Sequence, residues 1–204
     1  DALWLEQSFN FRLEGNAEQI EQLAHDLASN HGQRTLFELR AKHLIKADPE
    51  IVQLLWLDEK LQLINAVPGW RLPNLGTDER YAELQARAAE IAQKMGKSYY
   101  TDAYRIGDVT QFEYYYPIFD GPRHRGTLVA VYSFNAVLKQ LVPWWFAEKY
   151  QVRILDGNGN VLQSEQFKQS NSNVKGGQLT FQFKPVDNVT MTANYFRFEL
   201  QGDY

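Results

Sequence analysis

The residues from Ser98 to Phe134 constrain this chain more than any other stretch. They read as three consecutive antiparallel strands, dense in Tyr, Phe, Val and Thr, the side chains that fit a pleated, half-buried surface. Two turn clusters divide them: Ile106-Gly107-Asp108 and the longer Asp120 to Gly126. On the middle strand side chains alternate between faces, so Phe112, Tyr114 and Tyr116 share one face while Gln111, Glu113 and Tyr115 share the other. Tyrosines on both faces imply either a sheet buried under aromatic neighbours or one that walls a cavity with hydroxyls.

The rest of the chain frames that sheet. From the start to about Ser29, Leu5, Phe9, Leu13, Ala17, Ile20, Leu23, Ala24 and Leu27 keep to one helical face. Gly15-Asn16 interrupts it, with Asn16 and Gln19 placed to recap a second segment, and Asn30-His31-Gly32 stops it. The immediate amphipathic start without Met reads as a fragment of a longer chain, cut within a helix. A second helix is expected from Thr35, with Glu38 completing a capping box and Asp48-Pro49 closing it. Ile51–Leu57 and Leu61–Val67 flank Asp58-Glu59-Lys60 as a hairpin, and Pro68–Gly76 reads as an irregular loop. Thr77 caps a third helix whose face carries Tyr81, Leu84, Ala88, Ile91 and Met95, ending at Gly96.

After the aromatic strands, Asn135–Val142 predicts a short helix ended by Pro143. A second hairpin follows, Gln151–Leu155 and Val161–Ser164 about an Asp156–Asn160 turn, then two more strands within 179–184 and 190–200. Antiparallel strands with helices beside them indicate an α+β fold. The order predicts three parts: residues 1–47, a helical stalk and second helix; 48–142, a full α+β sheet domain; 143–204, a smaller, abbreviated copy.

Composition narrows the function. At 204 residues with 44% hydrophobic and 14% aromatic content, the chain holds one large domain or two small ones. A net charge of −4, with no Lys/Arg cluster among aromatics, argues against nucleic-acid binding. With no cysteine there is no disulfide, thiolate nucleophile or thiolate metal site. No apolar run approaches the ~18 residues of a membrane span. The histidines, His25, His31, His43 and His124, lack metal-ligand spacing, and no cofactor signature is present. Asp156-Gly-Asn-Gly-Asn160 begins like a calcium loop, but Val161 and Phe167 stand where such a loop needs Gly and Glu. It reads as a turn.

In its order of elements the chain resembles the extracytoplasmic tandem PAS-like (double Cache, or PDC) sensor regions of bacterial receptors, most of all dicarboxylate-type sensor histidine kinases. The resemblance rests on the long first helix, the Leu57-Asp58-Glu59-Lys60 turn, the Trp70 loop, Tyr115-Tyr116-Pro117-Ile118-Phe119-Asp120-Gly121, Gly126–Ser133, and the second hairpin from Val152 to Val161. It implies a periplasmic portion of an inner-membrane receptor, with a stalk helix, a membrane-distal sensor domain and a smaller membrane-proximal unit. A small molecule, of which a carboxylate is one class, would sit over the distal sheet. The implied ligand-binding residues are Trp70, Arg71, Tyr100, Asp102, Tyr104, Arg105, Glu113, Tyr115 and Ser133. Amino-acid-binding members carry Asp on the fifth strand where this chain has Val131, which weighs against an amino-acid ligand. The apolar face of the first helix suits a parallel homodimer.

Two other readings carry their own discriminators. Asp102 and Glu113 on neighbouring strands could serve as a general acid/base pair in a small enzyme. A sensor fold could also act as a protein-contact module without a ligand, in which case its own tyrosines would fill the distal cavity.

Overall fold

The computed structural model describes residues 2–29, 33–69, 79–143, 150–155, 161–165, 176–183 and 196–203. Four expected features lie outside them: the Asn30–Gly32 stop, the loop with Trp70 and Arg71, the Thr77 cap, and the Asp156–Asn160 turn.

Helix α1 (Ala2–Ser29) runs without a break through Gly15-Asn16. Asn16 does not recap a segment; it is buried, and its amide donates to Glu50 Oε1 at 3.2 Å. The predicted stripe is the buried one: Leu5, Phe9, Leu13, Ile20, Leu23, Ala24 and Leu27 are each at most 2% exposed. Helix α2 (Arg34–Ala47) starts one residue earlier than expected, on Gln33, with no side-chain cap. The Thr35–Glu38 box is absent because Glu38 serves a tertiary contact, accepting from Asn65 Nδ2 at 3.0 Å.

Strands β1 (Ile51–Leu57) and β2 (Leu63–Val67) form the first hairpin. Its turn is held by Asp58, whose Oδ1 accepts from the backbone N–H of Lys60 and of Gln62, each at 2.8 Å. Helix α3 (Glu79–Met95) leads to the aromatic region, which is four strands where the sequence reads as three. Residues 101–103 break the first into β3 (Tyr99–Tyr100) and β4 (Tyr104–Ile106), both paired with β5 (Val109–Asp120). The turn into β6 (Arg123–Ser133) is far tighter than the Asp120–Gly126 loop expected, since pairing runs on to Asp120 opposite Arg123.

Gly126 is required at its place on β6. Its φ of 153° disfavours side chains, and a Cβ there would collide with the Leu57 carbonyl oxygen of β1.

Together these strands make a six-stranded sheet in the order β2-β1-β6-β5-β3, with β4 also against β5. Helix α4 (Phe134–Leu141) follows, capped by Ser133. Strands β7 (Tyr150–Leu155), β8 (Val161–Glu165), β9 (Gly176–Phe183) and β10 (Phe196–Asp203) form a separate four-stranded sheet, ordered β8-β7-β10-β9.

The large sheet is covered on two sides. Against one face, α1, α2 and α4 build the main core, where Phe112 stacks on Tyr132 at 4.8 Å and meets Phe134 at 5.0 Å. Against the other, Ala88, Ala89 and Ala92 of α3 meet Tyr115 and Val129 in a smaller apolar cluster. The buried stripe of α3 keeps Tyr81 and Ala88 of the one expected and departs from it elsewhere: Met95 is 40% exposed, and Ala89 and Ala92 take sheet-facing places. Small side chains allow a helix to lie close to a sheet. Arg12 of α1 and Glu50 at the mouth of β1 join the first helix to the sheet, with Nη1 at 3.0 and 3.1 Å from the two carboxylate oxygens.

Candidate functional site

Register decides which side chains share the α3 face of the large sheet, because in-register partners on neighbouring strands point the same way. Gln53 of β1 is level with Val131 of β6, and Val131 with Glu113 of β5. One step along, Ser133 pairs with Gln111, and Gln111 with Tyr104 of β4. This face therefore carries Gln53, Gln111, Glu113 and Ser133, and each of them is buried. Buried polar groups of this kind must be hydrogen-bonded or used.

Glu113 is the centre of the cluster, with no exposed surface. Its Oε1 accepts from Tyr81 OH at 2.6 Å, Gln85 Nε2 at 2.8 Å and Tyr104 OH at 2.9 Å. Its Oε2 accepts from Tyr115 OH at 2.6 Å. The backbone is fixed as well: Glu113 N donates to Thr101 Oγ1, and Thr101 N donates to the Glu113 carbonyl, both at 2.9 Å. Tyr81 and Gln85, one helical turn apart on α3, are joined by a 2.6 Å hydrogen bond from Nε2 to OH. The Tyr81 and Tyr104 rings lie 4.7 Å apart at 55°, and their hydroxyls at 3.2 Å.

Every donor to this carboxylate is neutral. Among the described residues no ion pair reaches Glu113; Arg12, Arg40, Lys94, Arg105, Arg123 and Arg125 pair with other carboxylates. The tyrosines record the consequence. Burial pushes the hydroxyls of Tyr81, Tyr104 and Tyr115 well above the ordinary phenol value, and the charge of Glu113 pushes them further. They stay protonated donors throughout the physiological range.

The structure brings together three of the nine residues expected at the site: Tyr104, Glu113 and Tyr115. Ser133 shares their face, but its Oγ accepts from Ala136 N at 3.5 Å as the cap of α4. Tyr100 is buried on the opposite face, its ring 4.5 Å from Tyr114. Arg105 alternates away from Tyr104, pairs in register with Thr110, and is exposed; it donates to the Gly107 carbonyl at 3.0 Å and lies 3.7 Å from Asp108. Asp102 is exposed on the link between β3 and β4, and it is not among the partners of Glu113. Trp70 and Arg71 lie outside the described residues.

Tyr81, Gln85, Thr101, Gln111 and Gln53 complete the face; none is among the expected ligand-binding residues, although the sequence already puts Tyr81 on the buried face of α3 and Gln111 on the face of Glu113. Gln53 Nε2 donates to the Pro68 carbonyl at 3.0 Å, tying the sheet to the end of β2. The period-2 alternation that marks Glu113 also marks Gln111. The i, i+4 pair Tyr81/Gln85 at the head of a helix was the other available signal. No group of His, Asp and Glu suited to a metal occurs among the described residues.

A separate open groove of about 880 Å³ lies between α1 and the far end of the same sheet. Glu18, Glu21 and His25 line one wall, and Lys97, Tyr99 and Tyr116 line the other.

The sequence is 30% identical over 167 residues to the C4-dicarboxylate transport sensor protein DctS of Rhodobacter capsulatus. The match covers 78% of this chain but only 22% of that protein. No family model matches the sequence. Among solved structures, the ligand-binding domain of the Pseudomonas aeruginosa amino-acid chemoreceptor PctC, in complex with GABA, superposes with a TM-score of 0.63 at 12% identity. That match covers 99% of this chain and 95% of that one. The corresponding domain of the Pseudomonas fluorescens chemoreceptor CtaA, in complex with L-serine, gives 0.62 at 13% identity, covering 98% and 92%. At these identities the structural matches establish the fold.

Proposed function

From the premise that this chain has the fold of a tandem PAS-like sensor region, as solved for chemoreceptor ligand-binding domains, we propose that it is the extracytoplasmic ligand-sensing part of a bacterial transmembrane receptor. Among the described residues no helix is long and apolar enough to cross a membrane. The sequence similarity to a C4-dicarboxylate sensor supports a histidine kinase as the output module. Residues 48–142 are the distal sensor domain, built on the six-stranded sheet, and 143–204 the smaller proximal unit on the four-stranded one.

The observation that carries the reading of the site is the Glu113 cluster. A sheet face bearing a fully buried carboxylate, two carboxamides and a ring of tyrosine hydroxyls has the few placed polar groups that orient a small molecule. The ligand binds on this α3 side of the distal sheet. It shifts the receptor only by preferring one arrangement of α3 and α1 over another. Glu50 joins the sheet to α1: its carbonyl accepts from Ser133 N of β6 at 3.0 Å, and its carboxylate holds Arg12 of α1.

A thermal-shift screen of this chain against small carboxylates, amino acids and amines tests the reading. A ligand of the folded state at a hundredfold excess over Kd adds about 2.7 kcal/mol of stability. A hit whose effect is lost in Tyr104→Phe supports the site. A blank across all three classes, with the fold intact, would refute it.

A second reading has its own observation in favour. The hydroxyls of Tyr81, Tyr104 and Tyr115 already occupy the carboxylate, the arrangement expected of a sensor fold used only for protein contact. The same blank screen would favour it.

A further inference from the structure

The donors on Glu113 are unevenly shared. Each carboxylate oxygen offers two lone pairs. Oε1 accepts from three groups, Tyr81, Gln85 and Tyr104, while Oε2 accepts from Tyr115 alone. One of the three donors on Oε1 is therefore held in a poor direction, and a lone pair on Oε2 is left over. The charge is uncompensated too: a buried anion among neutral donors is satisfied in hydrogen bonds but not in charge.

Among the three, Gln85 is the one in the place of a ligand. It is half-buried, whereas the carboxylate it donates to is fully buried. Its nitrogen sits 2.8 Å from Oε1 and 2.6 Å from Tyr81 OH, the position a small N–H donor would take between them. An ammonium there would replace a neutral amide nitrogen with a cation, at a short reach from a carboxylate that has none. Charge-assisted hydrogen bonds of that kind are about twice as strong as neutral ones.

We propose that the ligand of this site carries a protonated amine, bound by Glu113 between Tyr81 and Tyr104, in the place that the Gln85 amide nitrogen holds in its absence. The inference rests on the sensor reading above and names the chemistry of its ligand. The described residues of this face supply a carboxylate and hydroxyls and no cation, which suits an amine and does not suit a bare dicarboxylate. Displacing Gln85 removes one of the two hydrogen bonds from α3 to the carboxylate, so the recognition step acts on the helix that covers the site.

Calorimetric titration of the whole chain with putrescine, GABA and succinate separates the outcomes. Putrescine or GABA should bind, and Glu113→Gln should weaken it by about thirtyfold, the worth of one hydrogen bond to a charged group. Gln85→Ala, which vacates the nitrogen's place and leaves the carboxylate, should tighten amine binding severalfold. It decides the matter if Glu113→Gln fails to fold: unchanged or weaker amine binding in Gln85→Ala would overturn the proposal. Binding of succinate with neither amine overturns it while leaving the sensor reading standing. Binding of none of the three, with a blank in the wider screen, sinks both.

Discussion

Glu113 shows how a single letter acquires its meaning from its neighbours in space. Alternation along β5 puts it on the face with Tyr115, and that much is legible in the sequence. Its donors Tyr81 and Gln85 lie about thirty residues earlier, on a helix whose buried face keeps the predicted Tyr81 and Ala88 but takes Ala89 and Ala92 in place of Met95. Val131 taken alone weighs against an amine-bearing ligand. Register places Glu113 beside it, and in the proposed site the carboxylate comes from that adjacent strand. Arg105 is the opposite case. Its type suits a carboxylate ligand, but a local turn claims it through Gly107 and Asp108, which only the three-dimensional path of β4 reveals. Tyr115→Phe removes the one donor to Oε2, and urea denaturation should show a loss of about 2 kcal/mol. The tyrosines also set a pH dependence. The hydroxyls of Tyr81, Tyr104 and Tyr115 ionise later in the folded protein than in the unfolded chain, because burial and then the charge of Glu113 disfavour the phenolates. Stability from these groups is therefore intact below the unfolded phenol value of ~10 and falls as pH rises above it. A denaturation midpoint that holds steady across that boundary would contradict the buried cluster.

Among elements, order and type were largely readable: periodicity marks α1, the two hairpins, and the aromatic strands. Boundaries set by tertiary contacts were not. The Thr35–Glu38 box fails because Glu38 reaches Asn65, and α1 survives Gly15-Asn16 because Asn16 finds Glu50 across the interface. Glu50 is 3% exposed, and Arg12 is its cation, so the contact of α1 with the sheet depends on this pair. Arg12→Ala leaves a buried carboxylate with only Asn16, and should cost about 3 kcal/mol in chemical denaturation. Double variants with Asn16→Ala should be non-additive, since both side chains serve one acceptor. Gly126→Ala forces a Cβ onto the Leu57 carbonyl at a positive φ, and should lower stability by about 2–4 kcal/mol through the β1–β6 pairing.

Across the molecule, the chain pairs a large sheet clad on both faces with a smaller sheet of its own, and the chemistry gathers on one face of the first. The main core behind it, against α1, is aromatic and apolar; the α3 side carries the buried polar groups. That asymmetry is the ground for proposing the ligand on the α3 side instead of in the open groove beside α1. Hydrogen–deuterium exchange of the whole chain, with and without whichever of putrescine, GABA or succinate raises its unfolding midpoint, tests this placement most directly. Slower exchange concentrated in α3 from Glu79 to Ala92 and in β4 and β5 from Tyr104 to Tyr115 is the predicted result. Protection confined to the groove residues of α1 or to β7–β10, with α3 unchanged, would contradict it.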